Sequence, residues 1–315
     1  MTTSRSTLTT GIGLAILATL AWSLNFIAPH VTGAYGLYDL LMVRFLFAGA
    51  AGLAAVILWR GRLRCLGRGQ VALAAMLGVV GYLGYGSCIA AGVAFGGPVL
   101  TATLVGLVPV LLALLGNARE RRVRWCSLAV PLGCVLFGLL CSTLSGPSAA
   151  QTGATAWGAG FSVLAVALWL LFSLLNQRAM DGLPSKLAGL WTGLMMGGAG
   201  VTTLCLIPLL QGVGLTRFPS ADFGIVQAGH FYLWAAFIAL ASSVVGAWAW
   251  NAATQRLPMV LSGQLICLES LFAALLGLCF EGRWPTALEL AGLLAVLVGA
   301  ALAVGNLLRA TDRRT

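Results

Sequence analysis

Glu269 falls near the middle of a long apolar run, 258–280, within "LICLESLFAALLGLCFE" (265–281). A charge held at the centre of a bilayer costs about 2.5–3.5 kcal/mol on insertion scales. Such a residue is therefore either a binding or proton-coupling carboxylate, or a protonated or paired structural group. Arg44 lies about two turns into another apolar run, 38–59. It can meet a substrate carboxylate, pair with a protein acid, or extend toward the interface. Asn25, Asn251 and Gln264 also fall inside apolar runs. An amide in lipid needs a partner, which is either a substrate or a neighbouring helix. Trp22, Trp169, Trp248 and Trp250 sit inside such runs rather than at their ends, and Tyr82 and Tyr85 join them. Trp169, Phe172, Ser173 and Asn176 share one helical face by spacing. A mixed aromatic and polar face suits a cavity for a zwitterion with an apolar side chain or for a flat organic cation. Plain helix packing is the alternative. The candidate substrate-binding residues are thus Trp22, Asn25, Tyr82, Tyr85, Trp169, Trp248, Asn251, Gln264 and Glu269. Glu269 is also the proton-coupling candidate, and Arg44 an ion-pair candidate.

The elements that must hold these residues are membrane spans. Of the 315 residues, 60% are apolar and 8% charged, and mean hydropathy is +0.98. A soluble domain carries about 25% charged residues. About 20 apolar residues cross the hydrocarbon. The apolar runs place ten spans at 8–29, 38–59, 71–95, 98–116, 126–144, 157–177, 187–210, 231–254, 258–280 and 286–307. Open backbone polar groups are not tolerated in lipid, and no β-barrel alternation is present, so the fold class is an all-α polytopic membrane protein. The first run follows Arg5 and is too long for a typical signal peptide, so it reads as a retained helix.

The net charge of +10 would suggest nucleic acid on a soluble protein, but its placement excludes that partner. With the N-terminus in the cytoplasm, fifteen Lys and Arg fall inside. Only Arg217 and Arg283 fall outside. This bias puts both termini in the cytoplasm of a multi-pass inner-membrane protein. A small-molecule substrate and the lipid bilayer are the expected partners, and a homodimer remains open.

The eight cysteines, at 65, 88, 126, 134, 141, 205, 267 and 279, form no CxxC pair and have no histidine beside them. No metal site, disulfide framework or cofactor is expected. HExxH is absent, and His30 and His230 map to the outer boundary, so an intramembrane protease is disfavoured. Gly84, Cys88, Gly92 and Gly96 form a small-residue stripe that predicts close helix contact.

Residues 113–120, "ALLGNARE", and 274–281, "ALLGLCFE", repeat one phrase 161 positions apart. Gly138 and Gly299 keep the same offset. Five spans precede the Ser/Gly/Thr-rich linker and five follow it. The expected division is a first repeat at 1–144, a linker at 145–156 and a second repeat at 157–315. An odd number of spans per half turns the second copy upside down, which explains why Arg121, Arg122 and Arg124 cluster after the first phrase and only Arg283 after the second. Inverted repeats are a feature of many secondary transporters, where two halves rock to give alternating access.

"LAWSLNFIAP" (20–29), "LMVRFLFAG" (41–49), "LVPVLLALLGNARE" (107–120), "LICLESLFAALLGLCFE" and "LELAGLLAVLVGAAL" (288–302) together resemble the EamA-type members of the drug/metabolite transporter superfamily. The resemblance implies ten helices and a central cavity lined mainly by spans 1, 3, 4, 6, 8 and 9. It implies an exporter of small organic metabolites, with amino acids the leading guess. Organic cations or nucleotide-like metabolites are the alternatives. It also makes span 2 peripheral, which favours structural pairing for Arg44. The family commonly places Pro after the Glu of its ninth span. Here Ser270 follows Glu269, while Pro109 is kept in the first half, so a kink in span 9 is not assured.

Overall fold

A computed structural model of the chain describes residues 5–96, 98–120, 124–145 and 155–312. These are mostly helical, with no strand among them. The expected linker at 145–156, and the arginines at 121, 122, 313 and 314, lie mostly or wholly outside the described residues. Eight helices are long and apolar enough to cross a membrane, and two shorter apolar helices, Val108–Arg119 and Trp125–Cys141, accompany them.

The first expected span is α1 (Arg5–Ser23), a 3₁₀ turn Leu24–Ile27, and α2 (Ala28–Val31). Next come α3 (Leu37–Leu58), the short α4 (Arg60–Leu63), and α5 (Arg68–Gly78). Through a π-helical turn at Val79–Gly84, α5 continues as α6 (Tyr85–Gly96). The fourth stretch is broken into α7 (Pro98–Val105) and α8 (Val108–Glu120), and α9 (Trp125–Ser145) follows. Past the linker run α10 (Thr155–Asp181), α11 (Ala188–Gly212) and α12 (Ile225–Ile238). A second π-helical turn, Ala239–Gly246, leads to α13 (Ala247–Thr254). The chain ends with α14 (Met259–Leu265), α15 (Cys267–Glu281) and α16 (Ala287–Asp312).

Local chemistry sets several boundaries. Asp39, in the first turn of α3, accepts the Gly36 N–H at 2.9 Å through Oδ2. Thr286 and Glu289 cap each other's backbone N–H at the start of α16. Gly282 ends α15 with φ +63°, a left-handed conformation that favours glycine. The eighth span starts at Ile225, six residues before the sequence reading put it. Gln227, Gly229 and His230 interrupt its hydropathy but not its backbone bonding.

Helices α5 and α14 continue into their partners despite breaks, and the break between α14 and α15 at Ile266 needs no proline. The Glu269 N–H reaches back to the Ile266 carbonyl at 2.9 Å and tightens the turn there. The corresponding break in the first half falls at Gly106–Leu107, just before Pro109.

Small residues set the closest approaches. Gly49 and Gly52 of α3 meet Gly200 and Gly193 of α11 backbone to backbone. Gly96 of α6 meets Gly158 of α10, and Gly92 meets Ser162, so the predicted stripe is a contact surface. Gly138 of α9 and Gly299 of α16 lie in one interface: a Cβ at either would press on the other helix. Without a hydrophobic drive between helices in lipid, such close approach is what holds spans together.

One end of the bundle carries the turn 32–36 and the loop 213–224, joined by Arg217 Nη2 donating to the Ala34 carbonyl at 2.9 Å and Tyr35 OH to the Asp222 carbonyl at 2.9 Å. The other end carries the turns near 60–66 and 183–187, where Arg62 Nη1 donates to the Lys186 carbonyl at 3.2 Å. Helices α3 and α11 therefore run antiparallel between these ends.

Candidate functional site

A cavity of about 210 Å³ opens between the helices. Nine separate elements supply its walls: α1 gives Trp22, the 3₁₀ turn after it Asn25 and Phe26, α2 Ala28, α3 Arg44, the first π turn Gly81 and Tyr82, α6 Tyr85, and α10 Trp169. Ser242 and Ser243 come from the second π turn, and Glu269 from the first turn of α15. The N-terminal end of a helix favours a carboxylate, since its first N–H groups lack partners.

The apolar wall is a cluster of rings. Trp22 and Trp169 meet edge-on with centroids 5.3 Å apart, and Tyr85 tilts over Trp169 at 4.7 Å. Tyr82 closes the group 6.5 Å from Trp22. The indole N–H groups of Trp22 and Trp169 and the Tyr82 hydroxyl are buried without a partner among the described residues. Buried polar groups are rarely left so, and three around one cavity suit a polar occupant.

The polar wall has a cation and an acid that do not satisfy each other. Arg44 Nη1 donates to Asn25 Oδ1 at 2.5 Å, and Ser242 Oγ donates to the same oxygen at 3.1 Å. The Arg44 Nε–H is buried and unpaired. Among the described residues no acid lies within ion-pair distance of Arg44, so the structural pairing expected of it is not formed. Asn25 meets it instead, because the 3₁₀ turn brings that amide across to α3. The Glu269 carboxyl likewise lines the cavity and makes no bond to a described side chain.

Of the residues singled out by type and position, Trp22, Asn25, Arg44, Tyr82, Tyr85, Trp169 and Glu269 share this one cavity. Three do not. Trp248 is 41% exposed and turned to the bundle's outside near Gly189. Asn251 is fully buried in a closed network: it accepts from Asn176 Nδ2 at 2.8 Å and donates to Thr192 Oγ1 at 2.8 Å. Trp191 Nε1 completes the network by donating to Asn176 Oδ1 at 3.0 Å. Gln264 is buried in α14 where that helix packs on α8, away from the cavity. On the Trp169 face, Phe172 and Asn176 pack below the cavity rather than lining it.

Ser242 and Ser243 escaped the sequence reading. Their signal was a polar pair inside an apolar span, 161 positions beyond Gly81 and Tyr82, the offset already carried by the repeated phrase. No cluster of three His, Cys, Asp or Glu exists among the described residues.

The sequence of residues 156–305 matches the EamA-like transporter family. The chain is similar to inner membrane protein YtfF of Escherichia coli (strain K12), 28% identical over 307 residues, covering 93% of this chain and 94% of that protein. A solved crystal structure superposes with TM-score 0.72 at 19% identity, covering 93% of this chain and 97% of that one, and so shares the fold.

Proposed function

We propose that the chain is a secondary transporter of small zwitterionic metabolites, amino acids foremost; the match of residues 156–305 to the EamA-like transporter family and the similarity to inner membrane protein YtfF support this reading. The single observation that carries this reading is a cavity holding Arg44 and Glu269, neither paired with an opposite charge among the described residues. A substrate that brings its own carboxylate to Arg44 and its own ammonium to Glu269 satisfies both. The rings of Trp22, Tyr85 and Trp169 then take an apolar side chain or face the ammonium. The volume argues for a small solute: about 210 Å³ is below the roughly 300–1,000 Å³ of drug-sized sites.

The carrier works by alternating access of two inverted five-helix halves, with the termini in the cytoplasm and export as its direction. The pattern of helix contacts supports that symmetry. Helix α3 packs on α11, α8 on α14, and α9 on α16, each pair joining spans that the repeat equates. Among the other contacts, α6 with α10 and α1 with α13 exchange into each other under the same operation. The two π-helical turns, Val79–Gly84 and Ala239–Gly246, are likewise related by it. In this orientation the cavity lies toward the outer side, rimmed by Phe26 and Leu37, and the Asn176–Asn251–Thr192 network closes the inner side. Glu269 couples transport to protons.

Purified protein in liposomes, tested with labelled neutral amino acids, organic cations and nucleosides, with and without a pH gradient, checks this. Uptake of amino acids, stimulated when the opposite side is preloaded with the same amino acid, is the expected result. Transport of cations alone would assign the aromatic wall and Glu269 to a cationic substrate and refute the zwitterion reading.

A further inference from the structure

We infer that Ser242 is a positioning residue that sets substrate selectivity: acting through Asn25, it holds the Arg44 guanidinium in the attitude that receives a substrate carboxylate. The inference rests on the zwitterion reading above and names the residue that makes it selective.

The relay spans three elements. Ser242 lies in the π turn Ala239–Gly246, Asn25 in the 3₁₀ turn Leu24–Ile27, and Arg44 in α3. A guanidinium has donors only, so the Asn25 atom that Arg44 touches must be the amide oxygen. That oxygen has two lone pairs, and Arg44 Nη1 and Ser242 Oγ occupy both. With the oxygen fixed from two sides, the amide plane cannot turn, and its NH₂ is left as a donor beside the cavity. Arg44 is tied at one nitrogen while its Nε–H stays buried and unpaired. The result is a fixed fork with one tine in use, which suits a planar carboxylate.

The hydroxyl of the relay comes from a π-helical turn. Ser242 and Ser243 of that turn are both buried and both line the cavity. π-helical turns are rare and recur at functional sites. From this one, Ser242 Oγ of the eighth span donates to the Asn25 amide oxygen of the first.

The test is binding of leucine and of isopentylamine, its counterpart without the carboxylate, to the purified protein in nanodiscs. In Ser242→Ala, leucine affinity falls about fivefold, the scale of one lost hydrogen bond, and isopentylamine affinity stays within about twofold. Ser242→Thr restores leucine binding. Asn25→Asp carries the argument further: its carboxylate gives Arg44 an internal counter-ion, so leucine binding collapses while isopentylamine binding is retained or improved. A merely structural relay would weaken both ligands together. Equal losses for the two ligands in Ser242→Ala and Asn25→Asp, or an unchanged leucine affinity in Ser242→Ala, overturns the inference and leaves the transporter reading standing. Failure of the wild-type protein to bind leucine refutes the zwitterion reading and the inference with it.

Discussion

At the scale of single residues, the cavity trades stability for function. Arg44 is a cation surrounded by apolar wall and one amide, with a buried N–H left over. Burying a charge without a counter-ion is costly, and replacing it by an apolar side chain of similar length often stabilises a protein. Arg44→Met is therefore expected to raise the melting temperature in detergent while abolishing leucine binding. A lower melting temperature together with retained binding would assign Arg44 a purely structural place. Glu269 is argued differently. Its carboxyl lines the cavity and makes no hydrogen bond or ion pair with a described side chain, so Glu269→Gln preserves shape and removes the ionisable group. Expression and folding are expected to be unchanged, and uptake driven by a pH gradient to be lost. A normal proton-dependent rate in that variant would end the coupling claim but not the carrier claim. The residue scale also marks the reach of sequence reasoning. A charge in an apolar run announces itself whatever it faces, which is why Glu269 and Arg44 were legible. An amide or a tryptophan does not disclose its direction. Trp248 turns outward and Asn251 closes a network because helix rotation, set by glycine contacts between spans, decides which side of a helix sees the cavity.

At the scale of elements, turns and breaks do more than the spans themselves. Asp39 lies in the first turn of α3, five residues ahead of Arg44, and clasps the loop that follows α11. Its Oδ1 accepts Thr216 Oγ1 at 2.7 Å, the Arg217 N–H at 2.8 Å and the Phe218 N–H at 3.2 Å. Together with the bond to Gly36, the carboxylate serves two loops at once. Asp39→Ala strands buried donors, each costing about 1–3 kcal/mol, so a clear drop in melting temperature and faster proteolysis within 213–224 are expected. A thermal melt within error of wild type would show the clasp to be dispensable. The hydropathy pattern made the spans legible because lipid demands length and apolarity, and little else. It did not reveal the π turns or the break at Ile266. Those depend on which backbone carbonyl an N–H selects, a choice made by packing. The proline that would have advertised a break in the ninth span is missing, yet the chain breaks there all the same.

At the scale of the whole molecule, the inverted arrangement makes a prediction about sidedness that local contacts cannot mimic. Two exposed positions at one end, Ala34 and Ser220, belong to different halves, as do Arg64 and Lys186 at the other end. If the halves are inverted, the turn before α3 and the loop after α11 face the same compartment, although one precedes its helix and the other follows it. The charge distribution then fixes which compartment: Arg60, Arg62, Arg64, Arg68 and Lys186 gather at one end, against Arg217 at the other. Single cysteines introduced as Ala34→Cys, Ser220→Cys, Arg64→Cys and Lys186→Cys in a background lacking the eight native cysteines report this directly. A membrane-impermeant thiol reagent added to intact cells is expected to label the first two and spare the others until the membrane is opened. Labelling of Ala34→Cys together with Arg64→Cys would mean that α3 does not cross. Labelling of Lys186→Cys in intact cells, with Arg64→Cys spared, would give the two halves the same direction and remove the symmetry on which alternating access rests. Because α3 and α11 touch backbone to backbone at Gly49 and Gly200, a reversed second half could not preserve that contact, and Gly200→Val would be tolerated. In the inverted arrangement the added side chain collides with α3, at a cost of about 1–3 kcal/mol, and the same four-cysteine assay read in that variant would show the end-to-end protection weakened.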